Sequence, residues 1–286
     1  MSDMLLETNM LTKRYEKKNV VDKVNIHIKK GEIYGLIGPN GAGKTTIMKM
    51  LVGFVIPNEG EITLFTEQER TRKIGALIEE TGMIASLNAF DNLKLKALAM
   101  GVYEKQDLLN ILELVGLKND HKKVAKYSMG MKQRLGIAFA LIGHPDFLIL
   151  DEPINGLDPM GIVEVRDLLI KLNRENNITI MISSHILEEL SKVATSFGII
   201  NDGKIIRELS LEELRNESQE KIEIITSQAT LAAAALEEDG ICDYTLVNVD
   251  KIHVNGAVDK ISDINKMLIR KGIEVSEIRV IGSSLE

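Results

Sequence analysis

The amino-acid sequence predicts an α/β protein with a mostly parallel sheet and a small additional α+β domain at its C-terminal end. Short apolar runs such as Ile33–Ile37 and Phe147–Leu150 alternate with segments of helical periodicity such as Lys44–Val52 and Gly161–Arg174. Strands that are buried on both faces are apolar throughout, because helices cover the sheet on both sides. This alternation therefore favours a parallel sheet between two layers of helices.

A helical subdomain is predicted within about residues 85–127. The segments Asn92–Met100 and Gln106–Val115 have helical periodicity, and each is followed by a glycine that suits a helix C-terminus. A further helix is predicted over Met129–Leu141, directly before the apolar run that ends at Leu150. The subdomain is thus expected to be an insertion in the α/β framework.

The pattern changes after residue 215, which predicts a large domain over residues 1–215 and an accessory domain over residues 216–286. The expected elements of the second domain are the strand Lys221–Thr226, the helix Thr230–Glu238, the hairpin strands Tyr244–Val249 and Lys251–Val254, the helix Ser262–Arg270 and the strand Val275–Ile281. The order β-α-β-β-α-β is typical of a ferredoxin-like fold. The alternative is a loose C-terminal extension.

Composition disfavours several classes of protein. The formal net charge is −7, whereas nucleic-acid binders usually carry a basic surface, so no nucleic-acid partner is expected. Cys242 is the only cysteine, which excludes an intrachain disulfide and suits a reducing, cytoplasmic compartment. A membrane-spanning helix needs about 20 mainly apolar residues, and the sequence contains no such run. Met1–Lys13 also lacks the features of a signal peptide, so a membrane role requires a partner protein.

The strongest motif fits G-x-x-x-x-G-K-[ST] and lies between a predicted strand and a predicted helix, which is the context that a phosphate-binding P-loop requires. Glycines let backbone N–H groups approach phosphates closely, and the helix N-terminus favours an anion. In such a loop Lys44 reaches the β- and γ-phosphates, and the Thr45 hydroxyl binds Mg²⁺. The candidate nucleotide-binding residues of this loop are Gly38, Asn40, Gly41, Ala42, Gly43, Lys44, Thr45 and Thr46.

Two adjacent carboxylates follow the apolar run Phe147–Leu150. In open α/β sheets, ligands bind at the carboxyl ends of the strands, so both side chains are expected near the P-loop. Asp151 is the candidate Mg²⁺ ligand, as the acidic residue of P-loop enzymes is. Glu152, which points in a different direction, is the candidate for polarising the attacking water. The sequence therefore predicts a P-loop nucleoside triphosphatase that uses Mg²⁺.

Further motifs give the chain a resemblance to the ATP-binding cassette (ABC) family over roughly residues 5–214. Ser128 and Gly130 belong to a segment that resembles the family signature at a helix N-terminus, and Asp158 lies in a segment that resembles the D-loop. His185 resembles the switch histidine that contacts the γ-phosphate, and Tyr15 resembles the aromatic residue that stacks on adenine. The motifs occur in the order that is typical of the family.

The resemblance implies a mechanism and a set of partners. In the family, two cassettes sandwich two ATP–Mg²⁺ units, and each site combines the P-loop of one chain with the signature segment of the other. Lys44, Glu152 and His185 are then the expected catalytic residues. The helical subdomain is expected to dock on an integral membrane permease subunit, which would hold the chain at the inner face of the cell membrane.

Two departures from the family pattern point to a subgroup. Met129 and Met131 stand where many members have Gly and Gln, and Glu79 stands at the position of a loop Gln that contacts the metal–water region. Glu79 is therefore a candidate for binding both nucleotide and metal. Both departures are similar to those of bacitracin- and lantibiotic-type exporters, which implies that the chain powers the export of antimicrobial peptides or related drugs.

Two alternative functions stay open at the level of sequence. One is a soluble ABC-type ATPase that acts on nucleic acid or ribosomes. The signature segment is close to Asp151 with no coiled-coil insertion, and there is one P-loop, so the chain differs from the DNA-repair and two-cassette translation types. The other alternative is a nucleotide-dependent regulatory subunit with negligible hydrolysis, which the intact Lys44, Asp151, Glu152 and His185 disfavour.

Overall fold

The computed structural model describes residues 4–65, 74–79, 82–218, 221–255 and 260–281, in two compact units, Met1–Leu211 and Glu212–Glu286. The strands of the first unit are β1 (Met4–Tyr15), β2 (Lys18–Val24), β3 (His27–Lys29), β4 (Ile33–Ile37), β5 (Glu59–Leu64), β6 (Ile74–Leu77), β7 (Phe147–Leu150), β8 (Thr179–Ser184), β9 (Ser196–Asn201) and β10 (Lys204–Ser210). Its helices are α1 (Lys44–Leu51), α2 (Ala89–Ala99), α3 (Lys105–Leu114), α4 (Met129–Leu141), α5 (Pro159–Asn176) and α6 (Leu187–Ser191).

A six-stranded sheet with the order β10-β9-β4-β8-β7-β6 carries the first unit. All of its neighbouring strands are parallel except the pair β9 and β10, which form an antiparallel hairpin. Every residue of β4, β7 and β8 is buried. Apolar strands at the centre of a parallel sheet need cover on both faces, so the prediction of a mostly parallel sheet is confirmed.

A second, antiparallel sheet packs beside the first, and the sequence did not distinguish it. In this sheet β1 pairs with β2, β3 and β5. Its buried side chains, among them Leu11 and Val21, join one apolar core with Ile47 and Met48 of α1. The helix that begins at the P-loop is therefore held between the two sheets.

The helical subdomain consists of α2, α3 and a 3-10 turn at Val124–Lys126. The Asn88 side chain caps α2 by accepting a hydrogen bond from the Asp91 backbone N–H, and such caps stabilise helix starts. The elements β6, β9, β10 and α6 were not predicted from the sequence, because they are short and have little periodicity. No helix in the described ranges is long and apolar enough to cross a membrane.

The second unit has strands and helices in the order β-α-β-β-α-β after α7 (Leu211–Ser218). They are β11 (Lys221–Ile225), α8 (Ala229–Glu238), β12 (Tyr244–Asn248), β13 (Lys251–Asn255), α9 (Ile261–Arg270) and β14 (Glu277–Ile281). The sheet is antiparallel, with the order β12-β13-β11-β14. Buried residues of both helices and of the central strands, such as Ile222, Leu236, Ile252 and Leu268, form a core of this unit's own.

Candidate functional site

The loop between β4 and α1 is fixed by close backbone approaches. Gly41 and Gly43 have φ values of 82° and 106°, in the left-handed region that favours glycine. A Cβ on Gly43 would lie 2.7 Å from the carbonyl oxygen of Val20. The Ala42 carbonyl accepts a hydrogen bond of 3.0 Å from the backbone N–H of Gly203. Contacts within the protein therefore fix the shape of the loop.

Lys44, the first residue of α1, has a buried side chain that turns back into this loop. Its Nζ donates hydrogen bonds to the carbonyl oxygens of Gly38 at 2.8 Å and Pro39 at 3.2 Å. The same Nζ lies 3.5 Å from Oε1 of Glu152. With the side chain only 5% exposed, its positive charge is held inside a loop that is suited to an anion.

Thr45 and Asp151 meet at the carboxyl ends of the strands. The Thr45 hydroxyl donates to Oδ2 of Asp151 at 2.6 Å, and the Ser183 hydroxyl donates to Oδ1 of the same carboxylate at 2.6 Å. Ser183 is fully buried in β8, next to β7. Both oxygens of Asp151 are therefore hydrogen-bonded, which holds the carboxylate beside the P-loop hydroxyl.

Glu152 points away from Asp151 and faces three other polar side chains. Its φ of 45° is left-handed and unusual for a residue other than glycine. Oε2 accepts a 2.7 Å hydrogen bond from Nδ2 of Asn155 and lies 3.5 Å from Nδ1 of His185. The structure thus brings together Lys44, Glu152 and His185, whose catalytic roles stay a prediction.

Ser128 and Asp158 cap two neighbouring helices. The Ser128 hydroxyl accepts a hydrogen bond from the Met131 N–H at the start of α4, and the Asp158 carboxylate accepts one from the Gly161 N–H at the start of α5. A Cβ on Gly130 would lie 3.8 Å from the Cα of Gly161, so these two helix starts are close together. Both N-termini present backbone N–H groups that attract anions.

Glu79 follows β6 and does not contact Asp151 through its side chain. Its Oε1 instead forms a 2.6 Å ion pair with Nζ of Lys49, near the end of α1. The side chain is 61% exposed and the backbone φ is 57°. Glu79 also lines a cavity of about 320 Å³ together with Met83, Lys132 and Gln133, which we call the Glu79 cleft. Its role as a ligand of nucleotide or metal stays a prediction.

Tyr15, at the end of β1, is 47% exposed. Nζ of Lys13 lies 5.3 Å from the centroid of its ring, a distance at which a cation is attracted to an aromatic face. An exposed ring can stack on a base, but the contacts of Tyr15 do not join it to Lys44 or Thr45 among the described residues. Its assignment to adenine therefore stays a prediction as well.

Comparisons with known proteins place this site in a family. A family model described as ABC transporter matches residues 21–155, which include the P-loop, Ser128 and Glu152. The bacitracin transport ATP-binding protein BcrA of Bacillus licheniformis is 41% identical, over 99% of this chain and 95% of its own length. The chain belongs to the ABC transporter ATP-binding proteins.

Another relative matches a smaller part of this chain. The lantibiotic transport ATP-binding protein SrtF of Streptococcus pyogenes is 48% identical over 74% of this chain and 96% of its own length. The match therefore leaves about a quarter of this chain uncovered.

Solved structures agree with the cassette fold. The structure of cbiO1 from Clostridium perfringens, part of the ABC transporter complex cbiONQ, has a TM-score of 0.68 at 27% identity and covers 76% of this chain and 92% of its own. The dimeric structure of MJ0796, a bacterial ABC transporter cassette, has a TM-score of 0.63 at 26% identity and covers 72% and 99%. Cassettes of this family bind ATP, are ATPases that power transport, form dimers and work with membrane permease subunits.

The alternative functions are not favoured by these matches, since the relatives are transporter subunits. The sequence motifs did not, however, reveal several residues that shape the cassette. Ser183 and Asn155 hold the two carboxylates; they lie in the segments that resemble the switch histidine and the D-loop, but no role was predicted for either. Arg134 donates from Nη1 to the Gly116 carbonyl at 3.0 Å and lies 3.4 Å from Glu164, so it links the end of α3 to α5. The sequence signal that could have identified Ser183 was its position two residues before His185.

Proposed function

We propose that this cassette hydrolyses ATP with Glu152 orienting the attacking water and with Lys44 and His185 contacting the γ-phosphate. These roles are supported by the position of the Glu152 carboxylate, which lies 3.5 Å from Nζ of Lys44 and 3.5 Å from Nδ1 of His185. Catalysis of phosphoryl transfer depends mainly on positioning and charge stabilisation. Asn155 would hold the carboxylate, and Gly38, Asn40, Gly41, Ala42, Gly43 and Thr46 would complete the phosphate cradle.

Mg²⁺ fits the oxygen atoms beside the P-loop. The Thr45 hydroxyl and the Asp151 carboxylate, 2.6 Å apart, are the hard oxygen ligands that Mg²⁺ prefers. The described residues include no cluster of three or more His, Cys, Asp or Glu side chains suited to a metal. Mg²⁺ takes few protein ligands and fills its shell with phosphate oxygens and water. When bound, the ion neutralises charge on the β- and γ-phosphates.

A second copy of the chain would complete each ATP site. Ser128 and Gly130, at the N-terminus of α4, would approach the γ-phosphate held by the other P-loop, and Asp158 would lie beside them. This role is supported by the exposed helix start, where Met129 is 59% exposed, and by the preference of helix N-termini for anions. Tyr15 would stack on the adenine ring of its own site.

The membrane subunit would bind at the Glu79 cleft and the adjacent helical subdomain. The large apolar side chains Leu95, Leu98 and Met100 in and after α2 are 47–50% exposed. Exposed apolar groups of this kind are typical of surfaces that bind another protein. Through the permease the chain would be located in the cytoplasm, at the inner face of the cell membrane.

The transported substrate that best fits the relatives is an antimicrobial peptide, because BcrA and SrtF are named for bacitracin and lantibiotic transport. The domain division would follow the sequence expectation of residues 1–215 and 216–286. The second domain would be ferredoxin-like, which its β-α-β-β-α-β order and its sheet order support. Because the candidate ATP-site residues all lie in the first domain, the second domain would regulate or assist assembly.

The experiment that tests this function pairs ATP hydrolysis with resistance. Glu152→Gln should keep ATP binding, slow steady-state turnover by at least about 100-fold, within the range that positioned general bases contribute, and stabilise an ATP-bound dimer. Cells carrying the permease and the parental chain should resist bacitracin or a lantibiotic, and the variant should abolish that resistance. Hydrolysis at the parental rate in the variant would contradict the assigned role of Glu152. Equal resistance in cells with and without the chain would contradict the proposed substrate class.

A further inference from the structure

Lys13, near the end of β1, has an ammonium group that is held at two points. Its Nζ donates a 2.7 Å hydrogen bond to the carbonyl oxygen of Ile56 and lies 5.3 Å from the centroid of the Tyr15 ring. Lys13 and Tyr15 are two positions apart in a strand, so their side chains lie on the same face. The ammonium therefore joins the aromatic ring to the loop between α1 and β5, which contains Ile56.

The loop that accepts this hydrogen bond is itself fixed at both ends. The Asn58 N–H donates to the carbonyl oxygen of Thr12 at 2.8 Å. The side-chain oxygen of Asn58 accepts a second 2.8 Å hydrogen bond from the Arg14 N–H. At the other end of the loop, the Phe54 N–H donates to a backbone carbonyl of α1 at 2.8 Å. The carbonyl of Ile56 is therefore a firm anchor for the ammonium.

The hairpin of β1 and β2 holds Tyr15 beside the P-loop. Tyr15 is paired with Lys18 in β2, and Val20 lies two residues further along that strand. The carbonyl oxygen of Val20 would be 2.7 Å from a Cβ on Gly43 and 2.5 Å from a Cβ on Gly203, so it packs closely against both glycines. Two residues of a strand span about 7 Å. The Tyr15 ring is thus within reach of the base of a nucleotide whose phosphates occupy the P-loop.

We propose that Lys13 is a positioning residue that holds the Tyr15 ring in the orientation in which it stacks on adenine. This inference rests on the proposed role of Tyr15 and concerns how the ring is kept in place. A cation over one face of the ring attracts it and leaves the other face for the base. Because the cation is anchored to Ile56, the ring is ordered before ATP binds, and ordering a binding group in advance raises affinity.

A simpler role for Lys13 would be a general attraction between its positive charge and the phosphates of ATP. The two roles concern different parts of the nucleotide, because the contact with the ring acts on the base and the charge acts on the phosphates. Inorganic tripolyphosphate has the phosphates but no base, so it separates the two roles. Lys17, which is exposed in the turn of the same hairpin, carries the same charge and is the matched control position.

Calorimetric titration of the full chain with ATP and with inorganic tripolyphosphate, both with Mg²⁺, tests the proposal. Lys13→Met should raise the Kd for ATP about two- to fivefold, the size expected for a cation–π contact at an exposed site, and leave the Kd for tripolyphosphate unchanged. Lys13→Arg keeps a cation that stacks and donates, so it should keep the parental Kd. Lys17→Met should change neither value. In steady-state hydrolysis, Lys13→Met should raise KM and leave kcat unchanged.

The Tyr15→Ala background decides whether Lys13 acts through the ring. In this background Lys13→Met should cause no further rise in the Kd for ATP. A further rise there, an equal rise for ATP and tripolyphosphate, or an equal effect of Lys17→Met would overturn the positioning role. If Tyr15→Ala weakens ATP binding and the folded Lys13→Met variant does not, this inference alone fails. If Tyr15→Ala binds ATP as tightly as the parental chain, the proposed stacking role of Tyr15 fails and the inference fails with it.

Discussion

The pair Lys49–Glu79 allows coupling to the membrane subunit to be separated from folding and from ATP binding. Glu79 lines the cleft beside the helical subdomain, whereas Lys49 holds its carboxylate from α1 at 2.6 Å. We expect Glu79→Ala to leave ATP affinity nearly intact but to impair transport or peptide resistance strongly. Glu79→Gln should retain much of the ATPase activity but couple hydrolysis to the membrane subunit less well, because Gln is neutral and also donates hydrogen bonds.

The structure limits the effect of these changes on stability. The ion pair joins side chains that are 27% and 61% exposed, and exposed pairs contribute about 0.2–1 kcal/mol after screening by solvent. In a protein of 150–250 residues, 1 kcal/mol shifts Tm by about 2–4 °C. Glu79→Ala should therefore lower the Tm by no more than about 4 °C, which is too little to explain a large loss of resistance through unfolding.

The assay compares Glu79→Ala, Glu79→Gln and Lys49→Gln for ATPase rate, Tm and peptide resistance in cells. Lys49→Gln is the matched control because it breaks the same ion pair but keeps the carboxylate in the cleft. Glu80, the neighbouring carboxylate that sequence would suggest as a control, lies outside the described residues. Parental resistance in both Glu79 variants would refute the coupling role. If Lys49→Gln reproduces every defect of Glu79→Ala, the ion pair matters and not a contact of Glu79 with the partner.

Three further predictions concern stability and modularity. Ser183→Ala should lower the free energy of unfolding of the first unit by about 1.5–3 kcal/mol, because it removes a hydrogen bond to the charged Asp151. Ser184→Ala is the control, and calorimetry measures the stability of both variants. Hydrogen bonds from Lys251 and other basic side chains lower the pKa of Glu223 from its ordinary 4.5 to about 2, so its contribution to stability is complete above about pH 4.5 and is lost as pH falls toward 2. Glu223→Gln should therefore weaken the pH dependence of the free energy of unfolding of the second unit in this range. A chain that ends at Leu214 should still bind ATP, and a folded truncation that binds none in calorimetric titration would contradict the domain division.

Much of the first unit could be predicted because its determinants are local. The bounds of β4, β7 and α4 agree with the expected segments Ile33–Ile37, Phe147–Leu150 and Met129–Leu141. Uninterrupted apolar runs mark strands that are buried on both faces, and a glycine-rich turn between such a strand and a helix is the specific context of a phosphate-binding loop. The positions of Lys44, Thr45 and Asp151 then follow from the rule that ligands bind at the carboxyl ends of parallel strands.

The contacts that were missed are those between segments distant in sequence. Lys49 and Glu79 are 30 positions apart, and Asp151 and Ser183 are 32 apart. Neither pair has a spacing that predicts contact, since β6, β7 and β8 must first become neighbours in the sheet.

Backbone conformation explains how adjacent carboxylates acquire different partners. Side chains of consecutive strand residues point to opposite faces, and Asp151, directly after β7, points toward Thr45 and Ser183. Glu152 leaves the extended conformation with a φ of 45°, while its N–H donates to the Ser183 hydroxyl at 2.8 Å. A left-handed residue other than glycine costs on the order of 1–3 kcal/mol. Because Ser183 binds both the Asp151 carboxylate and the Glu152 backbone, it fixes this turn and aims one carboxylate at the hydroxyl of the P-loop and the other at Lys44 and His185.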